Sequence, residues 1–502
     1  MEAVVNRVNE IVWSPALVWL CLAAGLYFSL RLLFVQVRRI PDMVGQLLAG
    51  ESSRDGVSSF QALAMSIAGR VGTGNIAGVA TAIAFGGPGA VFWMWVVAFF
   101  GAATSFVECT LGQIYKERDE GGEYRGGPAY YIEKGLGQRW YGILFAICCL
   151  AAMGLFLPGI QANSITGAAQ NAWGVDPKMS VIAVLVPLTF IVVGGVKRIA
   201  VFAGAVVPVM ALGYIILALV VVLMNAPQIP AMFQLIISSA FGQHAVFGGV
   251  LGLAVEWGVK RGVYSNEAGQ GTGPHPAAAA EVSHPAKQGL AQSFAVYIDT
   301  LLVCSATAFM ILSTGMYRTY EGGTESGPVL HEGGGGLAKT AEVGPAYTQA
   351  ALDSAFPGLG AGFVAIALVF FAFTTVVAYY YMAETNLAYL TRGVNPAVRS
   401  VLIRVVQLVV LLAVIWGGLA SAELAWTMGD IGVGLTAWLN IVAILILQGP
   451  AIRALKDYER QRKEKVDPQF DPRPLNIRNA PFWEERADAR ALHREEAEPV
   501  RP

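Results

Sequence analysis

Between residues 11 and 448 the chain carries eleven predominantly apolar runs, each close to the length that a helix needs to cross lipid. A hydrocarbon layer about 30 Å thick takes ~20 apolar residues per helix. The runs fall at 11–34, 58–84, 88–115, 140–170, 179–196, 202–224, 240–261, 288–315, 358–391, 399–419 and 428–448. Composition agrees: 55% of the 502 residues are hydrophobic and only 14% charged, where about 25% charged is ordinary. One soluble core stops growing at roughly 250–300 residues, so lipid is the solvent for most of this chain. The expected class is an all-α polytopic membrane protein. A net charge of −1 excludes a basic nucleic-acid footprint. The five cysteines (Cys21, Cys109, Cys148, Cys149 and Cys304) sit in apolar runs without CxxC spacing, so they read as core residues rather than disulfide or zinc partners. Met1 to Glu10 carries both charge signs before a long apolar run, which does not fit a cleavable leader, and no lipidation motif is visible.

Lys and Arg in short loops set orientation. Arg38, Arg39, Arg54, Lys116, Arg118, Arg125, Lys134, Arg139, Lys197, Arg198, Lys260, Arg261, Lys287, Arg392 and Arg399 fall on one side with the basic tail; Arg7, Lys178, Arg318 and Lys339 fall on the other. The N-terminus is expected outside and the C-terminus in the cytoplasm. The expected organisation is an extra leading helix and linker (1–56), two five-helix sets (57–225 and 240–448) and a charged tail (449–502). Residues 316–348, Gly- and Glu-rich, read as a mobile outer loop. Residues 121–137, with Tyr130 and Tyr131, read as a re-entrant turn or interfacial helix, and the tail from about 453 as a solvated appendage.

Helix-breaking residues at membrane depth persist only where freed backbone groups are buried in protein or line a polar cavity. The second run contains Gly69-Arg70-Val71-Gly72-Thr73-Gly74-Asn75-Ile76-Ala77-Gly78, in which Gly74 and Gly78 also form a GxxxG packing pair. The seventh contains Phe247-Gly248-Gly249-Val250-Leu251-Gly252. Each interruption lies in the first helix of a five-helix set, the pattern of an inverted-repeat transporter with a midplane site. Half-helix N-termini at such a site offer N–H groups to a carboxylate, and unwound carbonyls can hold a cation.

GRVGTGNIAGVATAIAFGGPGAVFWMW (69–95), GVKRGVYSNEAGQGTGP (258–274) and FAFTTVVAYYYMAE (371–384) resemble the alanine/glycine:cation symporter family, also called sodium:alanine symporters. IQANSI (160–165) and IDTLLVCSATA (298–308) are similar too, so the resemblance runs from about 57 to 448. It implies a leucine-transporter-like fold of the amino acid–polyamine–cation superfamily, with one extra leading helix and no enzymatic cofactor. It also implies sodium- or proton-coupled uptake of small neutral amino acids, with sodium the usual ion. Carried over by residue, the resemblance places Thr73, Gly74, Asn75 and Gln161 at the substrate, Gly248 and Gly249 as the opposing unwound wall, and Tyr379 at the bulky pocket position that many members fill with Trp. Thr374 and Thr375, with carbonyls near Ala68 and Val71, match the sodium site of the wider fold. Tyr381-Met382-Ala383-Glu384 departs from the usual Tyr-Tyr-Gly-Glu.

A charge at mid-span costs ~2.5–3.5 kcal/mol on insertion scales, so Arg70 requires a reason. Asp299 is the candidate ion-pair partner, and direct contact with substrate is the alternative. Glu108, Glu256 and Glu384 read either as locally paired carboxylates or, with Lys260 and Arg261, as an inner-gate network; Glu256 and Lys260 stand at i,i+4. The five histidines fall at span ends, in loops or in the tail, and neither HExxH nor GxSxG nor a P-loop occurs, which argues against an enzyme or an ATP-driven pump. A passive channel is the remaining rival, and concentrative uptake separates the two.

Overall fold

The computed structural model describes residues 2–47, 56–193, 195–244 and 246–497; Arg54 and residues 498–502 lie outside them. Of the described residues 78% are helical. Among them eight helices are long and apolar enough to cross a membrane. In chain order the elements that position the site are α1 (Pro15–Arg31), α2 (Ser59–Arg70), α3 (Val79–Gly86), α4 (Gly89–Ile114), α5 (Arg139–Trp173, with a π-turn at Ala152–Phe156), α6 (Pro177–Val192), α7 (Gly195–Met224), α8 (Leu251–Asn266), α9 (Pro274–Ala279), α10 (Pro285–Thr314, with a π-segment at Tyr297–Cys304), α11 (Gly360–Leu390), α12 (Pro396–Leu419), α13 (Ala422–Lys463) and α14 (Pro481–Ala497). Phe190, Val209, Leu212, Leu408 and Leu412 are exposed on the outer helices, as lipid-facing side chains should be.

Local chemistry sets the helix starts. Ser58 and Gln61 form a reciprocal capping box at the head of α2. Asp176 and Asn395 each accept a backbone N–H two residues on, immediately before a proline at the first helical position. Inside the bundle α2 stops at Arg70, the chain crosses Val71 and Gly72 without regular structure, and from helical Thr73 a π-turn over Gly74–Gly78 leads into α3. The first expected interruption is therefore present.

The second lies elsewhere. Gly248 and Gly249 occupy an exposed 3-10 turn that leads into α8; these glycines turn the chain at a helix start and form no wall of an unwound segment. The helix breaks instead over Glu267–Gly273, between α8 and α9, where Glu267 (φ +58°), Gly269 (φ +89°) and Gly271 (φ +79°) adopt left-handed backbone. A run of small, polar and glycine residues, Ser265 to Gly273, carries this break, and the expected seventh span shifts along the chain accordingly.

Two further expectations change. Residues 318–332 form a folded hairpin, β3 (Arg318–Tyr320) against β4 (Val329–Glu332), following β1 (Glu117–Arg118) and β2 (Tyr124–Arg125) in chain order. The β3–β4 hairpin seats on α3 through the Thr319 hydroxyl, which donates to Ile83 O at 3.1 Å, and its Tyr320 ring packs 6.3 Å from Phe85. Residues 128–136 are a short helix, but Tyr130 and Tyr131 are buried in the bundle rather than set at its boundary.

The tail is no solvated appendage. Phe470, Ile477, Ala480 and Trp483 are buried. The Trp483 indole donates to Gln113 O at 2.8 Å, and Phe470 N donates to Ser283 O at 3.0 Å. Arg486 pairs with Glu281, and Lys287 with Asp467 at 2.7 Å. Four aromatic and aliphatic side chains suffice because the strap borrows the core of the bundle instead of building its own. It covers the place where the lead-in to α2 pairs with the exit from α9, Val57 N to Ala279 O at 3.0 Å and Glu281 N to Val57 O at 2.8 Å. We call this end of the bundle the tail face. Burying an indole and then deleting it costs about 3–5 kcal/mol, so Trp483→Ala is expected to undock the strap. Limited trypsinolysis in detergent should then cut the segment around Arg473 and Arg478 faster than in wild type; an unchanged digestion pattern would refute the docking.

Candidate functional site

Broken helices α2–α3 and α8–α9 meet inside the bundle, and side chains from four other helices occupy the freed backbone. Gly72 N donates to Asn75 Oδ1 at 2.8 Å, and Thr73 N donates to Gln161 Oε1, from α5, at 3.1 Å. Gln161 Nε2 then reaches the Tyr264 hydroxyl on α8 at 3.2 Å. Tyr379 of α11 is buried within reach of that hydroxyl. Thr73 Oγ1 is buried and has no hydrogen-bond partner. Thr73, Gly74, Gln161 and Tyr379 are thus brought together around Tyr264, which sequence reasoning left inside its family stretch without a role. Gly74 has no room to spare, since a Cβ there would lie 2.9 Å from the Tyr264 ring and 3.3 Å from Ser265 Cα.

Asn75 is turned to a different task. Its oxygen holds Gly72, and its amide donates to Asp299 Oδ1 at 2.6 Å. Ser265, at the end of α8, donates to the same carboxylate oxygen at 3.0 Å. Asp299 therefore ties the two breaks together and forms no ion pair with Arg70. The Arg70 guanidinium donates instead to Gln292 O at 3.1 Å and Ser105 Oγ at 3.3 Å. The expected pair fails because both Asp299 oxygens are already taken, Oδ2 by Thr300 at 2.7 Å.

Around the second break, Glu108 of α4 accepts Gly269 N at 3.3 Å and Gly271 N at 3.2 Å, and Asn440 of α13 donates to the same carboxylate at 2.7 Å. The Tyr131 hydroxyl closes the chain onto Asn440. Unwound backbone in lipid needs such partners, and a carboxylate accepting two N–H groups satisfies both at once.

Of the two threonines expected at the cation, one faces the first break. Thr375 Oγ1 lies 2.8 Å from Ala68 O, 3.4 Å from Val71 O and 2.9 Å from Phe371 O. One hydroxyl proton cannot serve three carbonyls, so four oxygens converge with a deficit of donors, the donor set that suits a hard cation. Gly72 borders this spot: a Cβ there would collide with the Thr375 hydroxyl and lie 3.0 Å from Gln161 Oε1. Thr374 does not join it. Its hydroxyl donates back to Phe371 O at 2.9 Å and faces Met210 of α7, because neighbours on a helix point about 100° apart.

Lys260 and Arg261 form no network with Glu108, Glu256 and Glu384. They face away from the tail face and pair with Asp430 of α13, Lys260 Nζ to Oδ2 at 2.9 Å and Arg261 to both oxygens at 2.9 and 3.0 Å. Arg261 also stacks over Trp426, 4.3 Å from its centroid, and Trp426 lies 5.2 Å from the Tyr264 ring. Glu384 pairs with Arg125 at 2.9 Å, near the tail face. Asp430 was not singled out from sequence; its signal is a lone carboxylate in an otherwise apolar run.

With this geometry in view, comparison with known proteins places the chain. The model of the sodium:alanine symporter family matches residues 1–472. The chain belongs to the sodium:alanine symporter family. The YrbD carrier of Bacillus subtilis (strain 168) is 56% identical over 484 residues, covering 96% of this chain and 98% of the relative. The sodium/proton-dependent alanine carrier protein of Bacillus sp. (strain PS3) is 51% identical over 444 residues, 88% of this chain and 97% of its own length. A sodium-coupled sialic acid symporter in its substrate-bound outward-open state is similar in fold, with a TM-score of 0.51 at 12% identity, covering 95% of this chain and 96% of that one. The symporter is thus a multi-pass membrane transporter of the leucine-transporter-like fold, not an enzyme. Within it, Asp430→Asn is expected to strand two buried cations. Removing one partner of a buried pair costs about 3–5 kcal/mol, so the melting temperature in detergent should fall sharply, and Arg261→Gln added to it should cost less than the sum. Additive losses would show that the three groups do not act together.

Proposed function

We propose that this protein carries alanine and glycine into the cell with sodium, by alternating access around the two breaks, with its N-terminus outside and the tail face in the cytoplasm. The observation that carries the reading is the pairing of an unwound segment at Val71–Gly72, beside a buried and unpartnered Thr73 hydroxyl, with the oxygen cluster at Thr375. An amino-acid carboxylate displaces Gln161 Oε1 from Thr73 N and takes the Thr73 and Gly74 amides, since helix ends bind anions without a charged side chain. Thr73 Oγ1 supplies a further donor. Tyr264, Gln161 and Tyr379 limit the substrate's side chain to one or two carbons by crowding, where each methylene is worth ~1–3 kcal/mol. Ala68 O, Val71 O and Thr375 Oγ1 hold the sodium ion. Binding both partners draws α2 and α3 onto α11, and the pairing of Lys260 and Arg261 with Asp430 closes the outer side.

A proton is the second candidate for the coupling ion. It is favoured by the name of the PS3 relative and by three carboxylates buried at mid-depth, Glu108, Glu267 and Asp299.

Gly74→Val is expected to abolish alanine binding while the protein still inserts; measurable binding by the purified variant would refute the amide site. Thr375→Ala should raise the sodium concentration for half-maximal alanine uptake in proteoliposomes by about tenfold, the loss of one charge-assisted contact of about 1.5 kcal/mol, whereas Thr374→Ala should change it little. Equal effects of the two would place the ion elsewhere. Tyr379→Ala should admit larger amino acids in competition assays.

A further inference from the structure

Three carboxylates, Glu108, Glu267 and Asp299, are fully buried around one guanidinium, that of Arg70. Arg70 gives its hydrogen bonds to Gln292 O and Ser105 Oγ, and to none of the three. If every acid is ionised, negative charge is in excess in a medium where uncompensated charge is expensive. Hydrogen-bond donors stabilise the charged form of a carboxylate, so their distribution shows which group can accept a proton.

Glu108 receives Gly269 N, Gly271 N and Asn440 Nδ2. Asp299 receives Asn75 Nδ2, Ser265 Oγ and Thr300 Oγ1. Both oxygens of each are occupied. Glu267 accepts one bond only, from Thr272 Oγ1 to Oε2 at 3.0 Å, and its buried Oε1 accepts none. Oε1 turns toward the first broken helix, where a Cβ on Gly69 would lie 3.3 Å from it and 3.1 Å from the Met382 methyl. That wall is apolar on the Met382 side and offers no ring of oxygen ligands, which disfavours a metal ion at this oxygen and suits a proton. The titratable groups facing Glu267 from neighbouring elements are Arg70 on α2, Cys109 and Glu108 on α4, Cys149 on α5, Tyr264 on its own helix, Asp299 on α10 and Tyr379 on α11.

From this arrangement we infer that Glu267 is the proton-binding site of the symporter, with Oε1 the atom that is protonated and deprotonated during transport. The inference rests on the symport reading above and gives it a second coupling ion. Glu267 sits where α8 ends and the second break begins, in left-handed backbone at φ +58°. Its carboxylate spans from Thr272, across its own break, to the face of the other broken helix. A proton on Oε1 removes the charge of the one carboxylate of the three that has an oxygen without a donor, and so lowers the cost of closing the two breaks over substrate. Release of the proton on the opposite side restores the charge and favours reopening.

The test uses the purified full-length protein in proteoliposomes, with alanine accumulation driven by a fixed sodium gradient, with and without an inwardly directed proton gradient of one pH unit, acid outside. The result is expressed as a ratio within each variant, so changes in overall rate cancel. One co-transported proton makes that ratio about tenfold in wild type, and Glu267→Gln is expected to bring it to about one. A Glu267→Gln protein that keeps the wild-type ratio overturns the assignment. If that variant does not fold, Glu267→Asp serves: a shorter carboxylate still binds a proton but displaces the midpoint of the pH dependence, and an unmoved midpoint overturns the assignment equally. Failure of wild type to accumulate alanine on a sodium gradient would sink the symport reading itself. Intact sodium-driven uptake without any response to pH would sink this inference alone.

Discussion

Backbone amides and carbonyls set free in the middle of a membrane have no water to turn to, and the interior of this protein is organised around giving them partners. Asn75 and Gln161 take the amides of Gly72 and Thr73, and Glu108 takes those of Gly269 and Gly271. Each partner then needs support of its own. Asn75 is anchored on Asp299, Gln161 on Tyr264, and Glu108 on Asn440 and, through it, Tyr131. The cost of an unmade hydrogen bond in lipid thus propagates outward and fixes the positions of α4, α5, α10 and α13 relative to the two breaks. The polar residues are cross-braces, and Asp299 is hydrogen-bonded to a residue at each of the two breaks.

The same requirement makes the breaks usable. Two of these amides, those of Gly72 and Thr73, are occupied by neutral amide side chains, which a ligand can displace, as Gln161 Oε1 on Thr73 N illustrates. Others are held by carboxylates with complete donor sets, which a ligand cannot easily displace. Thr375 belongs to neither class: it brings one donor to three carbonyls. Both ends of this arrangement are braced. Lys260 and Arg261 on Asp430 join α8 to α13 on one side, and on the other the strap ending in Trp483 lies over the paired backbones of Val57 and Ala279–Glu281.

Much of this was legible in the residues. The apolar runs set the helix segments, and closely spaced glycines after Arg70 located the first break correctly. The family stretches carried Thr73, Gly74, Gln161, Tyr379 and Thr375 to positions that the fold does bring together. Gly248 and Gly249 misled because a glycine pair reads the same whether it starts a helix or interrupts one. The true second break, Glu267–Gly273, lay inside a quoted stretch but beyond the expected seventh span, since the run ruler had ended that span too early. Arg70 with Asp299, and Lys260 with Glu256, were paired by cost and spacing, and neither consideration knows which donors already occupy a carboxylate. The tail looked solvated because its few apolar side chains, Phe470, Ile477 and Trp483, suffice only against a surface that is absent from their own stretch of sequence.

Sequence by itself therefore determined that the chain lives in lipid, that helices are its only recourse there, and where the first of them must come apart. Those conclusions follow from hydration free energy and from the intrinsic conformations of glycine, which act residue by residue. Tertiary structure decided which side chain answers each exposed amide, why Asp430 rather than Glu256 receives Lys260 and Arg261, and why Glu267 alone of three buried acids keeps an open oxygen. Those outcomes depend on distances between residues tens to hundreds of positions apart, and a hydrogen bond is fixed only when both of its ends have been placed.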